Sequence, residues 1–281
     1  MSGMTTVNGA TVPNNYSTST AAFETYFNSQ TTAVVFSAAG AVTAPGPAVV
    51  ATTNAALTIS GATAVADTSG GGNTITTTTN TAVFAAPNDT ITAATGSTTL
   101  FGADSGQTTF SFGGTGTSIM GGAGPIVGSV SGANSTLIGG TGVSIFSVTG
   151  SNAVVVAGIS GSTTADLSGS TGPETISTNP FGGDATMMVT LGSGADTMIG
   201  GAGASTVTAG SGNDVFAFVK GSVPSTEVII GFNSKDNVAF SGYGYAAGAT
   251  PTETLTSAGD VLTLTDGTTI TLAGLDHKLW S

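Results

Sequence analysis

The sequence predicts an all-β protein: a parallel β-solenoid, of the β-roll or β-helix kind, with a short N-terminal capping helix and a C-terminal β cap. Three observations predict it. Large apolar residues recur nine positions apart, and Gly or Asn stands at fixed places between them. The rest of the chain is rich in Gly, Ala, Ser, Thr and β-branched residues, a composition that suits tight turns joined by short strands.

The repeat is clearest from Leu191 to Ala217, which divides into LGSGADTMI, GGAGASTVT and AGSGNDVFA. Each unit has Gly at its second and fourth places. The eighth places hold Met198, Val207 and Phe216. The same frame extends upstream in decayed form. Gly96 leads to Leu100, Gly106 to Phe110, Gly116 to Met120, Asn134 to Ile138, Gly142 to Phe146 and Asn152 to Val156, each four residues on. At Gly124 the step lands on Gly128, with Ile126 or Val127 as the substitute. The anchors Gly124, Asn134, Gly142 and Asn152 are spaced alternately 10 and 8, so two units sum to 18. Eighteen residues then form one coil, with two strands and two turns. Gly and Asn are the residues that accept φ > 0 in such turns. Coils stacked at about 4.8 Å give roughly nine turns. Met198, Val207, Phe216, Ile138 and Phe146 are expected to face inward.

Both ends of a solenoid expose strand edges and need covering. In residues 1–51, Thr20 caps a predicted helix from Ala21 to Gln30, with Phe23, Tyr26 and Phe27 on one face and Glu24 in the first turn. Residues 52–217 form the predicted solenoid, and 218–281 the β cap. Within the cap, Glu227 to Phe232 and Asn237 to Phe240 read as strands. The run VLTLT-Asp266-Gly267-TTITL reads as a hairpin with a two-residue type I′ turn.

Composition narrows the function. Three Lys and no Arg face 15 acidic residues, giving a net charge of −12. That excludes the phosphate neutralisation on which nucleic-acid binding depends and disfavours anionic membrane surfaces. It favours divalent cations. No cysteine is present, so there is no disulfide or thiolate site. No apolar run is long enough for a spanning helix. Met1 to Pro13 has neither a basic region nor an apolar core, so an export address is expected elsewhere. His277 is the one histidine, and no H-E-x-x-H or G-x-S-x-G motif occurs. No enzyme activity is expected.

The sixth place of the repeat carries the chemistry. It holds Asp196 and Asp214, two repeat units apart and therefore on the same side of successive coils, with Ser205 between them on the opposite side. Calcium takes six to eight oxygens, carboxylate and carbonyl mixed, more than one turn supplies. Two stacked turns provide them: the carboxylates of Asp196 and Asp214, with carbonyls from turns shaped by Gly192, Gly194, Gly210 and Gly212. Ordinary turn Asp residues capping backbone N–H groups are the other reading. Upstream sixth places hold Ser118, Thr136, Ser144 and Val154, none of them a charged ligand.

These units, GSGADTMI-GGAGASTV-AGSGNDVF, resemble the G-G-x-G-x-D-x-U-x repeats of RTX (repeats-in-toxin) proteins. The following FAFVKG, TEVIIGFNSKDNVAFSGYG and DGTTITLAGL are similar to the C-terminal region of that family. The resemblance runs from about Leu191 to Gly274. It implies calcium as cofactor, type I secretion machinery as partner, a C-terminal export signal and an extracellular location. Gly231-Phe232 departs from the usual Asp-Phe, and two Asp repeats are few for the family. Calcium is therefore expected as a local clamp.

The expected function is that of a secreted, non-catalytic structural protein that self-associates head to tail into a fibre, surface layer or biofilm matrix. The alternative is a calcium-dependent adhesin or a module binding glycan or ice. An ice-binding face needs Thr in register on every coil, and the sequence shows no such ladder at a period of 18.

Overall fold

The computed structural model describes residues 3–7, 10–14, 33–178, 185–201 and 203–280. The chain is an all-β parallel β-solenoid of about 11 turns, more than the nine expected. No helix occurs among the described residues. The predicted helix from Ala21 to Gln30 lies outside them. Gly3–Val7 and Ala10–Asn14 form an antiparallel hairpin.

The residues divide into two compact units. The first comprises Met1–Ser135 and Gly140–Ser144. Its first sheet stacks Gly40–Thr43, Ala56–Ser60, Thr74–Thr77, Thr90–Ala93, Thr108–Phe112 and Ile126–Val130. Its second sheet stacks Val34–Phe36, Ala48–Val50, Ala64–Asp67, Thr81–Phe84, Thr98–Phe101 and Ser118–Met120. Each coil gives one strand to each sheet. Among the described residues parallel coils therefore begin at Val34–Phe36, ahead of the expected boundary at residue 52.

The second unit comprises Thr136–Gly139 and Ile145–Ser281. In it Thr226–Ile230 pairs parallel to Ala204–Thr208, and Asn237–Ser241 pairs parallel to Val215–Val219. Both strands were expected in the cap, and both are further coil strands instead. The cap is smaller. Thr269–Ala273 continues the parallel sheet, and Gly259–Thr263 and Thr252–Thr256 then fold back antiparallel. The hairpin turn also differs from the expected type I′. Leu264 and Thr268 close the loop, the Gly267 N–H donates to Leu264 O at 3.0 Å, and φ is positive at Gly267 (93°). That is a three-residue loop ending in a left-handed glycine, the next most common hairpin form.

Met198, Val207, Phe216 and Phe146 are fully buried, as expected. Ile138 is not: it faces outward, and Leu137 takes the inward place. The same one-residue shift puts Ile119 inside rather than Met120, and Val155 inside rather than Val156. Of the anchors, Gly116 (68°), Asn134 and Asn152 (both 57°) have left-handed φ, as do Gly96 and Gly106, whereas Gly124 and Gly142 do not. From Gly116, Asn134 and Asn152 the inward residue is three steps on, whereas from Gly106 to Phe110 it is four.

The surface carries a hydroxyl ladder that a fixed period of 18 does not reveal. On the outward face of the first sheet in unit 1, Thr58 is in register with Thr76, Thr76 with Thr92, Thr92 with Ser111 and Ser111 with Ser129. Thr74, Thr90 and Thr109 form a parallel column two residues away. The Thr76 and Thr92 hydroxyls lie 2.8 Å apart. This ladder escapes a fixed period because the coils differ in length: the step from Thr76 to Thr92 is shorter than the step from Thr58 to Thr76, and the step from Thr92 to Ser111 is longer.

Candidate calcium site

The turns that precede Thr197–Gly200 and Val215–Val219 stack on one side of unit 2, so the structure brings Asp196 and Asp214 together. They belong to a longer column. The Glu174 N–H donates to Asp196 Oδ1 at 2.8 Å, the Asp196 N–H to Asp214 Oδ1 at 3.0 Å, and the Asp214 N–H to Asp236 Oδ1 at 3.0 Å. Glu174 in turn accepts the Ala153 N–H and the Ser170 hydroxyl. Each carboxylate thus reaches back one coil and caps the backbone at the equivalent place. Within its own turn, Asp214 Oδ2 also accepts the Gly210 N–H at 3.1 Å. Asp236 Oδ2 accepts the Asn233 N–H at 2.9 Å.

Glu174 and Asp236 were not foreseen. They stand 22 residues from their neighbours in the column, where Asp196 and Asp214 stand 18 apart. A search for an acid preceding a strand at variable spacing finds both.

The repeat glycines are required by closeness between coils rather than by left-handed backbone. None of Gly192, Gly194, Gly210 and Gly212 has positive φ. A Cβ on Gly210 would lie 1.7 Å from Gly192 O, and one on Gly212 would lie 1.6 Å from Gly194 O. On Gly192 and Gly194 it would meet Ser170 O at 2.2 Å and Gly172 O at 1.8 Å. The carbonyls of one turn therefore point into the next, on the side that carries the carboxylates.

Electrostatics leave this column short of positive charge. Asp196, Asp214 and Glu174 are all buried. Burial, reinforced by the charge of Asp214, pushes the Asp196 carboxyl up to about 6. Burial also raises Asp214, with the charge of Asp236 adding to it. Glu174 is raised by burial and then by the charge of Asp196. Asp196 Oδ2 is buried without a hydrogen-bond partner. A buried carboxylate oxygen with no donor is costly unless a proton or a cation meets it. Among the described residues no three of His, Cys, Asp and Glu gather around one point. An ion at this side would therefore have to draw on backbone carbonyls as well as on the carboxylates. The residues present fit a hard divalent cation.

The opposite side is not empty of acid, as the sequence suggested. Ser205 lies in the strand Ala204–Thr208, and its hydroxyl donates to Glu227 Oε2 of the next coil. Glu227 is buried, which pushes its carboxyl up to about 7. His277 lies at the surface and hydrogen-bonds its neighbour Asp276, at 2.9 Å.

Residues 190–221 match the family model of the RTX calcium-binding nonapeptide repeat, in four copies. The chain thus carries RTX repeats, and these repeats bind calcium. No curated protein and no solved structure is significantly similar to the chain.

Proposed function

We propose that this chain is an extracellular, non-catalytic scaffold that self-associates end to end, clamped locally by calcium and exported by type I secretion. Asp196 and Asp214, with carbonyls around Gly192, Gly194, Gly210 and Gly212, are the proposed ligands. Bound calcium supplies the positive charge that the column lacks. The side chains then no longer depend on protons to remain buried together.

The observation that carries the reading is the exposed edge strand Thr252–Thr256, whose backbone N–H and C=O groups are open to a neighbour; the sheet faces of unit 1 in addition lack charge. Side chains alternate in and out along each strand, and no charged residue stands at an outward position of either sheet there. In the second sheet the outward Phe84 and Phe101 stack at 4.6 Å, and Met120 is 43% exposed. Lys on an edge strand is a usual guard against edge-to-edge pairing, and the edge strand Thr252–Thr256 carries none. Light scattering against protein concentration in millimolar calcium tests the proposal. Concentration-dependent growth supports it, and a constant monomer mass refutes it.

The threonine ladder favours a second reading, as a module binding an ordered hydroxyl surface such as ice or glycan. Its β-branched side chains are stiff, and they repeat at the strand spacing in one direction and at two residues in the other. Substituting Thr76→Lys and Thr92→Lys would abolish adsorption to ice or polysaccharide under this reading. It would leave self-association through other surfaces intact.

A further inference from the structure

Each unit ends its first sheet on an exposed strand. In unit 1, Gly40–Thr43 pairs on one side, with Ala56–Ser60, and stands last in the sheet among the described residues. In unit 2, Thr252–Thr256 pairs on one side, with Gly259–Thr263, and also stands last. Gly40, Ala41 and Thr43 are exposed and Val42 is half-buried. Thr252, Thr254, Leu255 and Thr256 are exposed and Glu253 is half-buried. Neither strand contains Lys or Pro, the residues that commonly blunt an edge.

The two strands match in direction and in facing. Thr252–Thr256 runs antiparallel to Gly259–Thr263, and that strand runs antiparallel to Thr269–Ala273, which is parallel to the coil strand Thr226–Ile230. Two reversals restore the direction, so this edge points the way the coil strands do. Gly40–Thr43 likewise runs parallel to the coil strand beside it. Residues in register share a face of the sheet. Leu255 is in register with Asp260, Asp260 with Leu272, and Leu272 with Ile229, and those three partners are fully buried. Leu255 therefore stands at an inward position, yet as the last of its column it is 46% exposed. Val42 is the first of an inward column in unit 1, in register with the fully buried Ile59. Each edge thus leaves an apolar inward side chain partly uncovered.

We infer that these two edges complete each other between copies: Gly40–Thr43 of a second copy adds in parallel to Thr252–Thr256, and the sheet runs on from one chain into the next. This junction rests on the self-association proposed above and gives it a polarity. A register that joins inward to inward sets Leu255 against Val42, Glu253 against Gly40, Thr254 against Ala41 and Thr256 against Thr43. Slipping it by one residue would turn every side chain to the wrong face, and slipping it by two would set either Glu253 against Val42 or Leu255 against Gly40. In the matched register Leu255 and Val42 cover each other. A Cβ on Gly40 would meet nothing within 4 Å, so the glycine leaves room for Glu253. The Glu253 carboxylate is already held within its own chain, where Oε1 accepts the Trp280 N–H at 3.1 Å. Charge selects the same pairing. Two unit 2 edges facing each other would bring two Glu253 carboxylates together, and like charges across a strand pair destabilise it. The unit 1 edge offers no charge at all, since residues 33–66 carry no ionisable side chain. A contact between unlike edges does not close on itself, so it extends from copy to copy.

The chain has no cysteine, so introduced thiols report the junction directly. Full-length Ala41→Cys and Thr254→Cys proteins are mixed in millimolar calcium and physiological salt and treated with a short bifunctional thiol reagent. Sedimentation velocity under the same conditions reports association independently. The expected product is a cross-linked pair with one chain of each kind, and neither protein alone gives a pair. Thr254→Cys protein that cross-links to itself would show that like ends meet, and the junction would be overturned. Association without a mixed cross-link would overturn it as well, while leaving self-association through another surface standing. A monomer under every condition would remove the self-association reading itself, and the junction with it. Leu255→Lys places a charged guard at an exposed position. It is expected to keep the melting temperature of the parent chain and to lose association; association equal to that of the parent would contradict the pairing.

Discussion

Asp196 meets three demands at once. Its Oδ1 caps the backbone of the coil before it, its Oδ2 has no partner, and its charge faces that of Asp214 in the next coil. In the metal-free chain its raised carboxyl favours folding most in acid, and that contribution declines as pH rises through about 6. Calcium takes the carboxylate form, so its affinity is expected to change in the opposite direction, weakening as pH falls through about 6. Titration calorimetry across that range checks the sign, and an affinity that is flat or stronger in acid contradicts it. Asp214→Asn keeps the cap geometry and removes the charge. It is expected to abolish calcium heat, for a site in the range of about 10⁻⁴–10⁻³ M typical of extracellular modules. At tenfold excess over Kd, calcium would stabilise the parent chain by about 1.4 kcal/mol. Asp196 and Asp214 were legible in the sequence because two repeat units and one coil have the same length there. Glu174 and Asp236 were not, because coils that carry four extra residues move the acid out of phase while the backbone pairing holds it in place.

At the scale of the coil, packing and turns keep different periods. Inward positions run Phe110, Ile119, Gly128, Leu137, Phe146 and Val155, nine apart throughout, while the turn anchors between them alternate 8 and 10. The left-handed residue stands three or four residues before the inward one, as at Gly116 before Ile119 and Gly96 before Leu100, so counting a fixed four from the anchors misassigned Ile138, Met120 and Val156. Counting from the apolar residues themselves gives the right face. Gly128 holds an inward place without a side chain because Phe110 fills it: a Cβ there would lie 2.5 Å from Phe110 Cγ and 2.2 Å from Phe110 O. Phe216 of unit 2 is likewise fully buried, with the Phe232 ring at 5.9 Å. Phe216→Ala is expected to cost about 3–5 kcal/mol in chemical denaturation; a loss within experimental error would mean a loose core. Gly212→Ala tests the other constraint. Its methyl would overlap Gly194 O, and separating the coils is expected to cost about 1–3 kcal/mol or more. A neutral result would show that the turns are not in contact.

Across the whole molecule, charge and structure are unevenly distributed. All three Lys fall between residues 220 and 278, and the uncharged sheet faces belong to unit 1. In unit 2 the last strand of the second sheet, Asn237–Ser241, carries Phe240, whose ring lies within 6.4 Å of Tyr243, Tyr245 and Trp280. The first sheet ends instead on the exposed edge strand Thr252–Thr256. The cap thus covers part of the terminal coil and leaves backbone edges for a neighbour. A net charge of −12 opposes that contact, and salt at about 0.1 M screens it beyond about 10 Å. Removing residues 221–281 would strip coil strands as well as the tail, so export is better tested by grafting 218–281 onto an unrelated carrier. Under the type I reading the carrier leaves the cell, and its retention argues against that reading.

The central claim is association in calcium, and sedimentation velocity over a wide concentration range measures it most directly. In millimolar calcium with physiological salt, the account predicts a sedimentation coefficient that rises with concentration and falls back in chelator. A single monomeric boundary at every concentration, in calcium and in chelator alike, would contradict it.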